Sequence, residues 1–104
     1  MTAILDDAAL AAALADLPGW TFDAARQGIA RDFAFPDFAQ AFAFMTRVAA
    51  IAEAMDHHPD WSNCWNRVAI LLTTHDAGGV TALDIAMARR IDAVLTSPGT
   101  AITA

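Results

Sequence analysis

Residues 65–75, WNRVAILLTTH, decide the fold. They divide by a period of two. Asn66, Val68, Ile70, Leu72 and Thr74 fall on one side, and Trp65, Arg67, Ala69, Leu71, Thr73 and His75 on the other. Successive side chains of an extended chain point to opposite faces, so this spacing predicts a β-strand with one apolar face. The strand runs into a glycine turn, DAGG at 76–79, after which Thr81 opens a helix that reaches about Leu95 and closes at Ser97-Pro98-Gly99. Thr81 and Asp84 have the spacing of a capping box, with Asp in place of the usual Glu or Gln.

Upstream of the strand lies MDHHPDW (55–61), a polar loop that ends the strongest helical pattern in the chain. Pro36-Asp37 open that helix. Phe38, Ala41, Phe42, Met45, Val48, Ala49, Ala52 and Met55 recur on one stripe at three- and four-residue spacing. Phe44 and Ile51 lie off its edge and widen the apolar arc, which fits either a deeply buried helix or a flank that meets another subunit. Earlier still, GWTFD (19–23) and GIARDFAF (28–35) flank a turn-like AARQ, and alternation in the second predicts a β-hairpin. A first helix is expected over residues 6–17. Asp6 or Asp7 would cap it, Leu10, Leu14 and Leu17 would form its stripe, and Pro18-Gly19 would stop it. Paired strands with helices between them predict an α+β domain. Its antiparallel four-stranded sheet carries helices on one face, in the order α-β-β-α-β-β-α. A length of 104 residues suits one domain spanning 1–104.

The composition restricts the function. Twelve acids against six bases give a net charge of −6, which argues against nucleic acid and against an anionic membrane surface. The chain is 57% hydrophobic, largely through alanine, yet no apolar run approaches the roughly 20 residues that cross a bilayer. Two aspartates precede the apolar part of the N-terminus, opposite to a signal peptide. Cys64, the one cysteine, cannot form an internal disulfide and lacks an activating cation nearby in sequence. These features predict a cytoplasmic protein.

The polar residues that stand out are the three histidines and the carboxylates near them. His57 and His58 sit where Pro59 forbids further helix. Adjacent residues of an extended loop point apart, which disfavours one shared metal. A metal set would need His75 with Asp76 or Asp84 as further ligands. A polar helix end, favoured by the dipole, also accounts for the pair. His75 follows the strand beside a flexible turn, a place from which side chains reach into clefts. Asp84 lies on or beside the inward stripe of the last helix, where it would cap Thr81 and could also orient a histidine. Glu53, four residues before His57, suits either solvent or a hydrogen bond to the loop. There is no serine-nucleophile motif and no phosphate-cradling glycine loop, so these residues point to an acid/base pocket.

Residues 37–92 resemble the pterin-4a-carbinolamine dehydratases. The resemblance rests on Glu53, His57-His58-Pro59-Asp60-Trp61, Asn63, Trp65-Asn66, Thr73-Thr74-His75-Asp76, Gly78, Thr81 and Asp84, in order and at the family's spacing. The leucine-rich first helix and Gly19-Trp20 match as well. The resemblance implies dehydration of 4a-hydroxytetrahydropterin to quinonoid dihydropterin, in tetrahydropterin recycling. The histidines would be the acid/base groups, with neither metal nor organic cofactor. It implies that His57, His58 and His75 line the pterin pocket. His57 and His75 would transfer protons, and His58 would bind the pterin or share that work. Trp61 would pack the pocket wall, Asp84 would support His75 or the pterin's polar edge, and Glu53 would hold the loop. A homodimer or homotetramer is implied as well, formed through sheet edges and helices. One position departs from the pattern: Leu83 stands where some members carry an arginine. A non-catalytic binding module on the same fold would be marked by loss of a pocket histidine, and all three are present. A His/Asp metal protein would be marked by metal in the purified protein.

Overall fold

The computed structural model describes residues 3–96. The elements follow the expected order: α1 (Asp7–Ala15), β1 (Thr21–Asp23), β2 (Gly28–Ala34), α2 (Phe38–Met55), β3 (Asp60–Cys64), β4 (Arg67–Leu72) and α3 (Ala82–Leu95). The four strands form one antiparallel sheet in the order β1-β2-β4-β3. The proposed Ser97-Pro98-Gly99 stop of the last helix lies outside the described residues.

The alternation of residues 65–75 holds through the middle of the stretch. Val68, Ile70 and Leu72 are buried, and they face Phe33, Arg31 and Ile29 of β2 across the ladder. The regular strand stops at Leu72, short of His75. Beyond it Thr74 pairs with Gly79 in an isolated bridge, so His75 stands on a closed turn rather than at a strand end. The second strand of this hairpin starts inside MDHHPDW, at Asp60.

Each helix start is set by a side chain. Asp6 caps α1 by accepting from the Ala9 amide (2.8 Å), and Asp37 caps α2 by accepting from Gln40 (2.8 Å). Thr81 and Asp84 make both bonds of the capping box of α3.

The buried face of α2 differs in phase from the predicted stripe. Ala41, Phe44, Val48 and Ala52 are buried, while Phe38 and Phe42 are 46% and 54% exposed. Phe44, expected at the margin, is the centre of the packing. Its ring centroid lies 4.8 Å from Phe33 and 5.0 Å from Phe35. A helix so rich in Ala and Phe gives two almost equivalent stripes by spacing, and Phe33 and Phe35 select the one that carries Phe44. Phe38 and Phe42 instead pack on each other at the surface, with centroids 5.7 Å apart.

Arg31 is the polar exception on the inward face of β2. Its Nη1 donates to Asp92 Oδ1 (2.8 Å), the guanidinium lies 4.8 Å from the Phe33 ring centroid, and Trp20 Nε1 donates to the same aspartate oxygen (2.9 Å). The pair neutralises a charge that burial would otherwise make costly, and it ties α3 to the sheet. A Cβ on Gly19 would stand 2.6 Å from Arg31 Cζ, so any side chain there must displace this guanidinium.

Candidate active site

The end of α2 turns the histidines in different directions. Asp56 adopts a left-handed conformation (φ 49), and the His57 amide reaches back to the Ala52 carbonyl (3.0 Å), the bond of a Schellman-type helix end. Asp is one of the few non-glycine residues that tolerate this conformation, because its short polar side chain bonds locally. The reversal directs His57 inward, where it is buried, and leaves His58 exposed.

Their partners differ accordingly. His57 Nε2 lies 2.6 Å from Oδ1 of Asp84, which is fully buried. His58 Nε2 lies 2.5 Å from Glu53 Oε2 at the surface. The Glu53 contact is one of the two that its spacing allowed. Of the two roles the resemblance implied for Asp84, support of His75 is not made, since that carboxylate holds His57. Asp84 lies buried in α3's first turn, between His57 at the end of α2 and Thr74 at the base of the glycine turn. Its other oxygen, Oδ2, accepts from Thr74 Oγ1 (2.8 Å) and from the Thr81 amide (2.9 Å). Every bond to Asp84 therefore runs inside the protein.

The Thr74 hydroxyl and the Thr81 amide both donate to Oδ2, and an ionised carboxylate accepts at Oδ1 as well. A neutral His57 then carries its proton on Nε2, and Nδ1 remains unprotonated. Among the described residues Nδ1 has no partner, and it is not sealed, since the one buried side-chain polar atom lacking a partner there is Gln40 Oε1. In that tautomer Nδ1 is the ring nitrogen open to a ligand.

His57, His58, Thr73, Thr74, His75 and Leu83 line a single open cleft of about 260 Å³, together with Asp56 and Asp76. The three histidines thus share one cavity although they lie on two different loops. Leu83 supplies apolar wall, and no Lys or Arg lines this cleft. A second recess of about 320 Å³ shares Thr73 and His75 with it and extends toward Arg26, Gln27 and Asp60. Thr73 Oγ1 donates to the Gln27 carbonyl (2.7 Å), which fixes the β1–β2 turn beside that recess. His75 is exposed, and among the described residues its ring has no hydrogen-bond partner.

Trp61 does not line the histidine cleft. It is half-buried against the hydrophobic core and touches a recess over the sheet with Asp60 and Ser62. Strand β3 begins at Asp60, so Trp61 takes the sheet's register, opposite Ile70, rather than that of the loop. Among the described residues no three His, Cys, Asp or Glu side chains are grouped to hold a metal ion. Sequence spacing missed Thr74 and Asp56. Thr74 gave no local signal, because its importance arises from α3, while an Asp before His-His-Pro was a readable sign of a left-handed helix end.

The chain as a whole has clear relatives. Residues 3–94 match the family model described as pterin 4 alpha carbinolamine dehydratase. The chain belongs to this family. A protein from Rhizorhabdus wittichii, whose name assigns pterin-4-alpha-carbinolamine dehydratase activity provisionally, is 61% identical over 86% of this chain and 93% of its own. A similarly named protein from Rhodospirillum rubrum is 56% identical over 91% of this chain and 99% of its own. The fold superposes on the crystal structure of a transcriptional coactivator/pterin dehydratase from Brucella melitensis. That match has a TM-score of 0.84 and 47% identity, and covers 86% of this chain and 96% of that one. Among the described residues no helix is long and apolar enough to cross a membrane.

Proposed function

We propose that this member of the pterin 4 alpha carbinolamine dehydratase family dehydrates 4a-hydroxytetrahydropterins to quinonoid dihydropterin and water, as a step of tetrahydropterin recycling in the cytoplasm. The observation that carries the reading is the shared cleft: His57, held by a buried carboxylate, and His75, unheld and exposed, open onto one space.

Loss of water from the substrate requires the N5 proton to leave and the 4a-hydroxyl to depart protonated. Imidazole is suited to both transfers, because its ordinary pKa lies near neutrality. His57, with Nε2 bound to Asp84, offers Nδ1 as a proton acceptor. His75, on a turn with access to solvent, is the partner that donates to the departing hydroxyl and reloads from water. His58, braced by Glu53, faces the same cleft and contributes to pterin binding. Asp84 acts on substrate through His57. The scheme uses no metal and no organic cofactor. The substrate enters as the sole small-molecule partner, and nucleic acid and membrane have no part. The exposed Phe38–Phe42 pair supports self-association as a homodimer or homotetramer, which light scattering at micromolar concentration tests by a mass above that of one chain.

The functional test is the rate of carbinolamine dehydration by His57→Ala and His75→Ala. Removal of a general acid or base lowers kcat by about 10²–10⁴-fold. Full activity in either variant removes that histidine from the scheme.

A further inference from the structure

Thr74 occupies a position that neither the cleft nor the capping box explains by itself. Its hydroxyl donates to Asp84 Oδ2 (2.8 Å) and also lies 2.8 Å from Thr81 Oγ1. A hydroxyl has one proton, and that of Thr74 is committed to the carboxylate, so in the second bond Thr81 donates and Thr74 accepts. Thr81 Oγ1 in turn accepts from the Leu83 amide (3.2 Å). The polarity of the chain is thus fixed from the start of α3, through Thr81 and Thr74, to Asp84 Oδ2.

The main chain of Thr74 has a separate task. Its amide donates to the Gly79 carbonyl (2.9 Å), and its carbonyl accepts from Ala77 (3.0 Å) and Gly78 (2.9 Å). These bonds close the turn that carries His75. One residue therefore anchors both histidines of the cleft: His57 through its side chain and Asp84, and His75 through its backbone.

We infer that Thr74 is a positioning residue for proton transfer, whose hydroxyl fixes the proton of His57 on Nε2 through Asp84 while its backbone sets the place of His75. The inference rests on the proposed dehydratase reading for its kinetic part only. Without the hydroxyl, Asp84 Oδ2 keeps the Thr81 amide alone, and the carboxylate is held less firmly against His57. Valine keeps the shape and both backbone bonds of Thr74, and serine keeps the hydroxyl.

The test combines kinetics with ¹⁵N NMR of the histidine rings. In Thr74→Val, kcat is expected to fall about tenfold to a hundredfold, the range for loss of one hydrogen bond to a charged group, with KM within about twofold. Thr74→Ser is expected to restore the rate. In a His57→Ala background the valine substitution should cost little, and in a His75→Ala background its full effect should remain. Thr46→Val, which removes an exposed helix hydroxyl bonded to the Phe42 carbonyl, serves as the control. By NMR, neutral His57 of the unliganded wild type should be protonated on Nε2, with mixed tautomers in Thr74→Val. Full kcat in Thr74→Val, failure of serine to restore it, or an undiminished valine effect without His57 would overturn the inference. So would Nδ1 protonation in the wild type, a result that needs no variant to fold. If the wild type fails to dehydrate the carbinolamine, the dehydratase reading falls, and the tautomer measurement still decides the role of Thr74.

Discussion

Asp84→Asn separates the structural work of the buried carboxylate from its effect on His57. The asparagine oxygen can replace Oδ2 and accept from Thr74 and the Thr81 amide, which places the amide nitrogen against His57 Nε2. An amide nitrogen donates only, so His57 must accept there and move its proton to Nδ1, the nitrogen assigned to catalysis. The base is then lost although every side chain stays in place. Hydrogen bonds to a charged acceptor are worth about 1.5–3 kcal/mol and those to a neutral one about 0.5–1.5 kcal/mol, so two retained bonds weaken by about 1 kcal/mol each. Loss of a negative charge from the first turn of α3 removes about 0.3–1 kcal/mol more. The sum, about 2–3 kcal/mol, is below the roughly 5–15 kcal/mol of a typical domain. At about 4–8 °C per kcal/mol for a domain near this size, the expected fall in Tm is about 10–20 °C. Stopped-flow dehydration at 15–20 °C below the variant's own Tm should show kcat reduced roughly 10²–10⁴-fold in folded protein. A folded Asn variant with wild-type kcat would refute the tautomer reasoning, and one already unfolded at room temperature would refute the magnitude.

Three further outcomes are expected. Phe44→Ala should destabilise the protein by about 3–5 kcal/mol in denaturant unfolding, and Phe42→Ala by far less in the monomer, because Phe44 is fully buried and Phe42 is 54% exposed. Equal effects would contradict the packing phase of α2. The side-chain hydrogen bond from Arg26 holds the Asp23 carboxyl below its ordinary value, aided by the Arg26 backbone amide. A depressed folded value stabilises above the ordinary carboxylate range, and this is lost as pH falls through the folded value. Arg26→Met should move the Asp23 titration upward by NMR, and an unmoved titration would contradict the pairing. Gly19→Ala should lower Tm by displacing the Arg31 guanidinium from Asp92, and a variant as stable as wild type would show that Arg31 moves without cost.

The elements were legible where a local rule dominates. Period two in residues 65–75 marked β4, Asp6 and Asp37 marked helix starts, and Thr81 with Asp84 marked the cap of α3. The phase of α2 was not legible, because its Ala and Phe residues ring the helix and the choice between stripes is made by Phe33 and Phe35 across the core. The same limit governed the site. Spacing identified His57, His58, His75, Glu53 and Asp84 as the polar residues of interest and placed His57 and His58 apart. Spacing left open which histidine Asp84 meets, and the resemblance set it beside His75 or the pterin's polar edge; the contact with His57 depends on how the start of α3 meets the end of α2. Thr74 carried part of the resemblance, but its role was not legible: a threonine after a strand is ordinary until its hydroxyl meets a carboxylate ten residues on.

The dehydratase reading is tested most directly by stopped-flow measurement of 4a-hydroxytetrahydropterin dehydration with the purified wild-type chain. The predicted result is disappearance of the carbinolamine at a rate proportional to enzyme concentration and well above that in buffer, undiminished by chelator. A rate equal to buffer at every enzyme concentration would contradict it.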